Sequence, residues 1–141
     1  MTERAFFDTH VLIYLHDRRF PEKRRQAAEV FRKSLESRNV YLSTQVLQEF
    51  FVAVTHKLAN LPADQARSLV AEYAQLHVVT VRPHHILEAI DLKERYRLSF
   101  WDGLILAAAL SAGATLLYSE DFSHGQRYEG LRVENPFLPP Q

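Results

Sequence analysis

The chain contains no cysteine, which excludes a disulfide scaffold, a thiolate zinc site and a cysteine nucleophile. Glycine is scarce at 4 residues and proline at 6, so collagen-like and low-complexity classes are also out. Neither sign of charge dominates: 17 Lys and Arg balance 17 Asp and Glu. Phosphate affinity comes mainly from excess cations, so a nonspecific nucleic-acid coat is not expected. A local patch remains open. Between Arg18 and Arg38, eight basic residues face only Glu22, Glu29 and Glu36; the plainer reading is a solvated helix face, the other an RNA track.

Long apolar runs are missing too. The longest, Leu104 to Tyr118, is shorter than the ~20 residues of a membrane span, and Ser111 and Gly113 interrupt it. The opening Met1-Thr2-Glu3-Arg4 has no apolar run of the secretory kind. A cytoplasmic protein without membrane association is expected. Its 141 residues, 47% of them hydrophobic, suit one globular domain over residues 1–141 with its own core. Residues 135–141, with Pro136, Pro139 and Pro140, read as an extended tail.

Apolar runs at Ala5–Phe7, Val40–Leu42, Val78–Val81, Thr115–Tyr118 and Leu131–Val133 predict four to five strands. Helical segments alternate with them. One runs through Val11–Leu15, one opens at Pro21 with Ala27, Phe31 and Leu35 on a face, and one follows the caps Ser43 and Thr44. The stripe of this third helix is Val46, Leu47, Phe50, Phe51, Val54 and Leu58, with Glu49 at its edge. Further helices open at Pro62, at Pro83 (carrying Ile86, Leu87 and Ile90) and at Ser99. Such alternation predicts an α/β fold, a mostly parallel sheet covered on both faces. In these sheets ligands bind outside the carboxyl ends of the strands.

Four acids stand where a fold prefers other residues. Asp8 ends the first apolar strand, Glu49 borders a helix's inner face, Asp102 lies within Phe100-Trp101-Asp102-Gly103-Leu104, and Asp121 follows the fourth strand. Taken singly, each has a plain explanation as a helix cap, a solvated acid or a turn residue. Together they point to a site, because clustered carboxylates are expensive unless paired or bound to a cation. A hard divalent ion, Mg²⁺ or Mn²⁺, prefers such oxygen donors.

The residues around these acids resemble the four motifs of PIN-domain proteins, the VapC-like toxin ribonucleases in particular. Phe6-Phe7-Asp8-Thr9-His10-Val11-Leu12-Ile13-Tyr14 resembles the first, Thr44-Gln45-Val46-Leu47-Gln48-Glu49-Phe50 the second, Leu98-Ser99-Phe100-Trp101-Asp102-Gly103-Leu104-Ile105 the third, and Thr115-Leu116-Leu117-Tyr118-Ser119-Glu120-Asp121-Phe122 the fourth. They occur in order over nearly the whole chain. The resemblance implies a three-layer α/β/α sandwich with Asp8, Glu49, Asp102 and Asp121 as catalytic acids and metal ligands. It implies hydroxyls at Thr9 and Ser119 hydrogen-bonding near those acids, and one or two Mg²⁺ or Mn²⁺ ions per site. His10 departs from the Asn that commonly follows Asp-Thr, and Gly103 stands where Ala is commoner. Neither removes an acid.

The chemistry expected of such a site follows from charge. An acidic pocket repels a phosphodiester until divalent ions reverse the field, polarise the phosphoryl oxygen and activate water. The resemblance implies RNA as substrate, a 5′-phosphate product, and a toxin silenced by a cognate antitoxin, with a homodimer as the assembly. Phe50, Phe51, Val54 and Leu58, extended by Tyr14, Leu15 and Phe20, suggest either a groove for an amphipathic antitoxin segment or, equally, internal packing or a homodimer face. Trp101, Tyr14, Phe20 and Phe51 are candidate base-stacking surfaces, with core or interface packing the plainer role for each. Three competitors are weighed. A noncatalytic RNA- or protein-binding module would have no reason to keep four acids. A haloacid-dehalogenase-type Mg-dependent phosphohydrolase would want Asp where His10 stands. A receiver domain would need an acidic pair after the first strand and a late Lys.

Overall fold

The computed structural model describes residues 3–56 and 61–139. Six strands form one sheet: β1 (Ala5–Phe7), β2 (Val40–Ser43), β3 (His77–Val79), β4 (Leu116–Tyr118), β5 (Arg127–Tyr128) and β6 (Leu131–Glu134). Their order is β3-β2-β1-β4-β6-β5, parallel throughout except for the β5–β6 pair. The sixth strand, not foreseen from the sequence, is β5. It folds back on β6 through Glu129 and Gly130, both at positive φ (52° and 92°), which is the backbone of a tight two-residue hairpin. The β3 strand is placed one residue earlier than expected, at His77, and ends at Val79.

The helices are α1 (Thr9–Tyr14), α2 (Pro21–Glu36), α3 (Thr44–His56), α4 (Ala63–Tyr73), α5 (Pro83–Tyr96) and α6 (Phe100–Ser111). Parallel strands force a crossover between each pair, and crossovers in one sheet are right-handed. The chain moves outward from β1 to β3 and then returns to β4 on the far side of β1. Its direction of travel therefore reverses, and α5 and α6 cover the face opposite α1 to α4. This gives three layers. The reversal also makes the gap between β1 and β4 a topological switch point, where the loops diverge and leave a crevice.

Phe6, Phe7, Leu42 and Leu117 from the strands are fully buried with Leu12, Phe50 and Leu106 from the helices. On one face Phe7 packs edge-on to Phe31 at 5.5 Å, and Tyr73 meets both Phe31 and Phe50. On the other face α6 is buried along Gly103–Ala109 and packs on α5. A Cβ at Gly103 would sit 2.5 Å from the Ala89 carbonyl oxygen, so only glycine permits this approach. The buried side of α5 is His85, Ala89 and Leu92, whereas Ile86, Leu87 and Ile90 are exposed. Among the described residues no helix is long and apolar enough to cross a membrane.

Candidate active site

The sequence-predicted acids come from four separate elements and line one cleft of about 690 Å³ at the switch point. Asp8 leaves β1 and caps α1, its Oδ1 accepting the Thr9 amide at 2.8 Å. Its Oδ2 accepts the Ser119 hydroxyl at 2.7 Å. Ser119 follows β4, so this bond spans the switch point. The same Ser119 oxygen accepts the Asp121 amide at 3.1 Å, which fixes the turn that carries Asp121. Glu49 projects from α3 and is exposed. The Thr9 hydroxyl donates to its Oε1 at 2.7 Å. Asp102 lies in the first turn of α6, which Ser99 caps by accepting the Asp102 amide at 3.1 Å.

Gln45 was not singled out from sequence. It is buried, and its amide nitrogen donates to Glu49 Oε2 at 3.4 Å and to the Trp101 carbonyl at 3.2 Å. It therefore ties α3 to the start of α6. With both amide hydrogens committed, its Oε1 is buried without a donor among the described residues. The signal was its place four residues before Glu49, on the same helical face.

The four acids do not share one environment. Burial pushes the Asp8 carboxyl up to about 6; the Asp121 and Asp102 charges add to this, against hydrogen bonds from Ser119 and Thr9. Asp102 is raised too, first by burial and then by Asp121 and Glu49. Asp121 is instead lowered, chiefly by His10, whose Nδ1 lies 3.5 Å from its Oδ2. His10 is correspondingly raised. No Lys or Arg is among the described residues lining the cleft. Each acid is turned toward a local donor, and among the described residues no three acid or His side chains stand close enough to share an ion as they are. The donor chemistry still fits a hard divalent cation: Asp8 and Asp102 have their proton affinity raised by neighbouring carboxylates, and no Lys or Arg stands among the acids.

The opposite flank of the cleft is apolar, with Ile13, Val52, Ala53 and Ile105, and Trp101 stands at its rim, 60% exposed. Of the two readings of the α3 stripe, internal packing holds for Phe50 and Val54. Phe50 and Val54 are fully buried core residues, Leu58 lies outside the described residues, and Phe51 is only partly exposed. Val46, Phe50 and Val54 of the α3 stripe face the core, while the cleft is lined by Val52 and Ala53, which lie outside that stripe.

A doubly covered, mostly parallel sheet with acids gathered at its switch point is the architecture of a PIN domain. The chain belongs to this family: the PIN domain model matches residues 5–128. A search of curated proteins returned no match. Among solved structures, a toxin–antitoxin complex from Klebsiella pneumoniae superposes with a TM-score of 0.68 at 21% identity, over 94% of this chain and 98% of that one. VapBC2 from Rickettsia felis, bound to a DNA fragment from its promoter, gives 0.65 at 17% identity over 93% and 97%. Mycobacterium tuberculosis VapC20, a toxin that cleaves the sarcin–ricin loop, gives 0.59 at 19% identity over 82% and 88%. At these identities the likeness is one of fold.

Proposed function

We propose that this protein is a metal-dependent endoribonuclease and the toxin of a toxin–antitoxin pair. The observation that carries the reading is the convergence of Asp8, Glu49, Asp102 and Asp121 on one cleft in a chain of the PIN family. These acids would hold one or two Mg²⁺ or Mn²⁺ ions. When bound, the metal supplies charge that draws the phosphodiester in and a Lewis acid that activates water. The protein's own residues do the positioning. Asp8, at the wall of the cleft, is held in a fixed pose by Thr9 and Ser119. Glu49, held by Thr9 and Gln45, is the more exposed acid and is placed to take a proton. Trp101 offers a face on which an unpaired base next to the cleaved bond stacks.

The partners follow the same cleft. Toxins of known structure with this fold are found with antitoxins, and the apolar flank at Ile13, Val52 and Ile105 beside the acids suits an amphipathic segment whose Arg or Lys enters the pocket. A second copy is the further partner, and the exposed Ile86, Leu87 and Ile90 form an apolar face of the kind a subunit covers.

Metal binding is tested by thermal unfolding. An ion that binds only the folded state stabilises it by about 2.7 kcal/mol at a hundredfold excess over Kd. Melting should therefore rise from EDTA to millimolar Mn²⁺, and the rise should vanish in Asp8→Asn. Equal melting in EDTA and in Mn²⁺ would contradict the metal site.

A further inference from the structure

The cations of the basic segment are not equivalent. Arg25 pairs with Glu22 and Glu29, Arg32 with Glu36, and Lys23 with Glu120. Arg19 is bound by Asp17, which is itself 1% exposed and accepts the Arg19 amide at 3.1 Å, Nε at 3.0 Å and Nη2 at 2.9 Å. The turn after α1 is thereby locked by a buried carboxylate, and the charges of Asp17 and Arg19 cancel. Arg18 and Arg24 are exposed and have no carboxylate partner among the described residues. Both line a second cleft, of about 430 Å³, with Arg19, His16 and Gln65.

The position of this cleft matters. Asp8, at the start of α1, lines the acidic cleft, and His16, just past its end, lines the basic one. Eight residues at the helical rise separate the two by roughly 12 Å. His16 itself adds no cation near neutral pH: burial first, and Arg24 second, hold its imidazole below its ordinary pKa, and a ring nitrogen meets the Tyr73 hydroxyl at 2.6 Å. The free charge of the second cleft is thus the two guanidiniums, planar forks suited to phosphate oxygens.

We infer that the Arg18–Arg24 cleft is a seat for an RNA backbone phosphate, set along α1 from the acids so that it orients the strand whose bond is cleaved. This deepens the ribonuclease reading and rests on it. A net charge of zero would otherwise leave an acidic cleft with little to attract RNA. Arg18 on the locked turn and Arg24 on the first turn of α2 supply a local, directional attraction without a general coat.

The test uses the full-length Asp8→Asn protein, in Mg²⁺, with a fluorescein-labelled oligoribonucleotide of mixed sequence followed by anisotropy over a salt series. Arg18→Ala/Arg24→Ala is added to this background, and so, separately, is Arg25→Ala/Arg32→Ala, which removes equal charge from paired sites. Each phosphate contact to a single strand contributes about 0.7 to the slope of log K against log salt. The first pair should lower that slope by about 1.4 and weaken binding about tenfold near 0.1 M salt, while the second leaves both nearly unchanged. In the cleavage-competent protein the first pair should raise KM and leave kcat. Equal effects from the two pairs would overturn the seat, because net charge alone would explain them. So would RNA binding and KM both left intact by the first pair. If the Asp8→Asn parent binds RNA and the wild type cleaves it, but the first pair changes nothing, only the seat fails. If no form binds RNA, the seat fails, and the ribonuclease reading fails with it only when the wild type in Mn²⁺ cleaves no RNA either.

Discussion

Lys23 holds Glu120. Its ammonium lies 3.0 Å from Glu120 Oε2, while the Tyr14 hydroxyl donates to Oε1 at 2.8 Å. The carboxylate is thus committed to α1 and α2. Asp121, one residue on, lines the cleft with His10. Adjacent acids that look interchangeable in sequence have separate jobs. Asp121→Asn should reduce cleavage by at least tenfold and weaken Mn²⁺ binding. Glu120→Gln should leave Mn²⁺ affinity within about twofold and lower the melting temperature slightly, since partly exposed ion pairs contribute little. Isothermal titration with Mn²⁺ on both variants separates them. The opposite ranking would exchange their roles.

Asp8 makes the metal-free protein pH-sensitive. Its pKa in the fold is about 6, above the ordinary carboxyl value, so the unfolded chain loses this proton first as pH rises. The contribution is therefore a penalty that is absent below about pH 4, grows between pH 4 and 6 and persists above. Two pKa units correspond to about 3 kcal/mol. In EDTA, Asp8→Asn should be the more stable protein at pH 7 and gain nothing at pH 4. Asn keeps the cap on α1. Urea unfolding at both pH values measures the difference, and an Asp8→Asn protein less stable at pH 7 would contradict this electrostatic account.

The departure from the family's commoner Ala at Gly103 has a local cause. The Ala89 carbonyl approaches so closely that an added methyl overlaps backbone, which cannot swing aside as a side chain would. Gly103→Ala should destabilise by about 1–3 kcal/mol despite the better helix propensity of alanine. Asp102 sits next to it, so activity should also fall. A rise in melting temperature would show that α5 moves freely away.

The acids were legible because each broke a local rule: Asp8 and Asp121 close apolar strands, and Asp102 interrupts an apolar helix. The parallel direction of most strands was legible from their alternation with helices, but their order was not. Facing was legible in part. On α3 the apolar arc marked the core side at Phe50 and Val54, but Val52 and Ala53, outside that arc, line the cleft with no period to mark them. On α5 the largest aliphatics point outward because close contact at Gly103 needs Ala89 on the inner side. The β5 strand of two residues has no period to read, and Gln45 looked like any helical glutamine until Glu49 and the Trp101 carbonyl were brought to it.

The central claim is that the four acids form a metal-dependent ribonuclease site. It is tested most directly by incubating total cellular RNA with the protein in Mn²⁺ or in EDTA, wild type beside Asp8→Asn, and mapping the ends produced. The account predicts discrete new 5′-phosphate ends with wild type in Mn²⁺, none in EDTA, and none with Asp8→Asn, whose fold remains intact by circular dichroism. The same ends at undiminished yield from Asp8→Asn, or from wild type in EDTA, would contradict it.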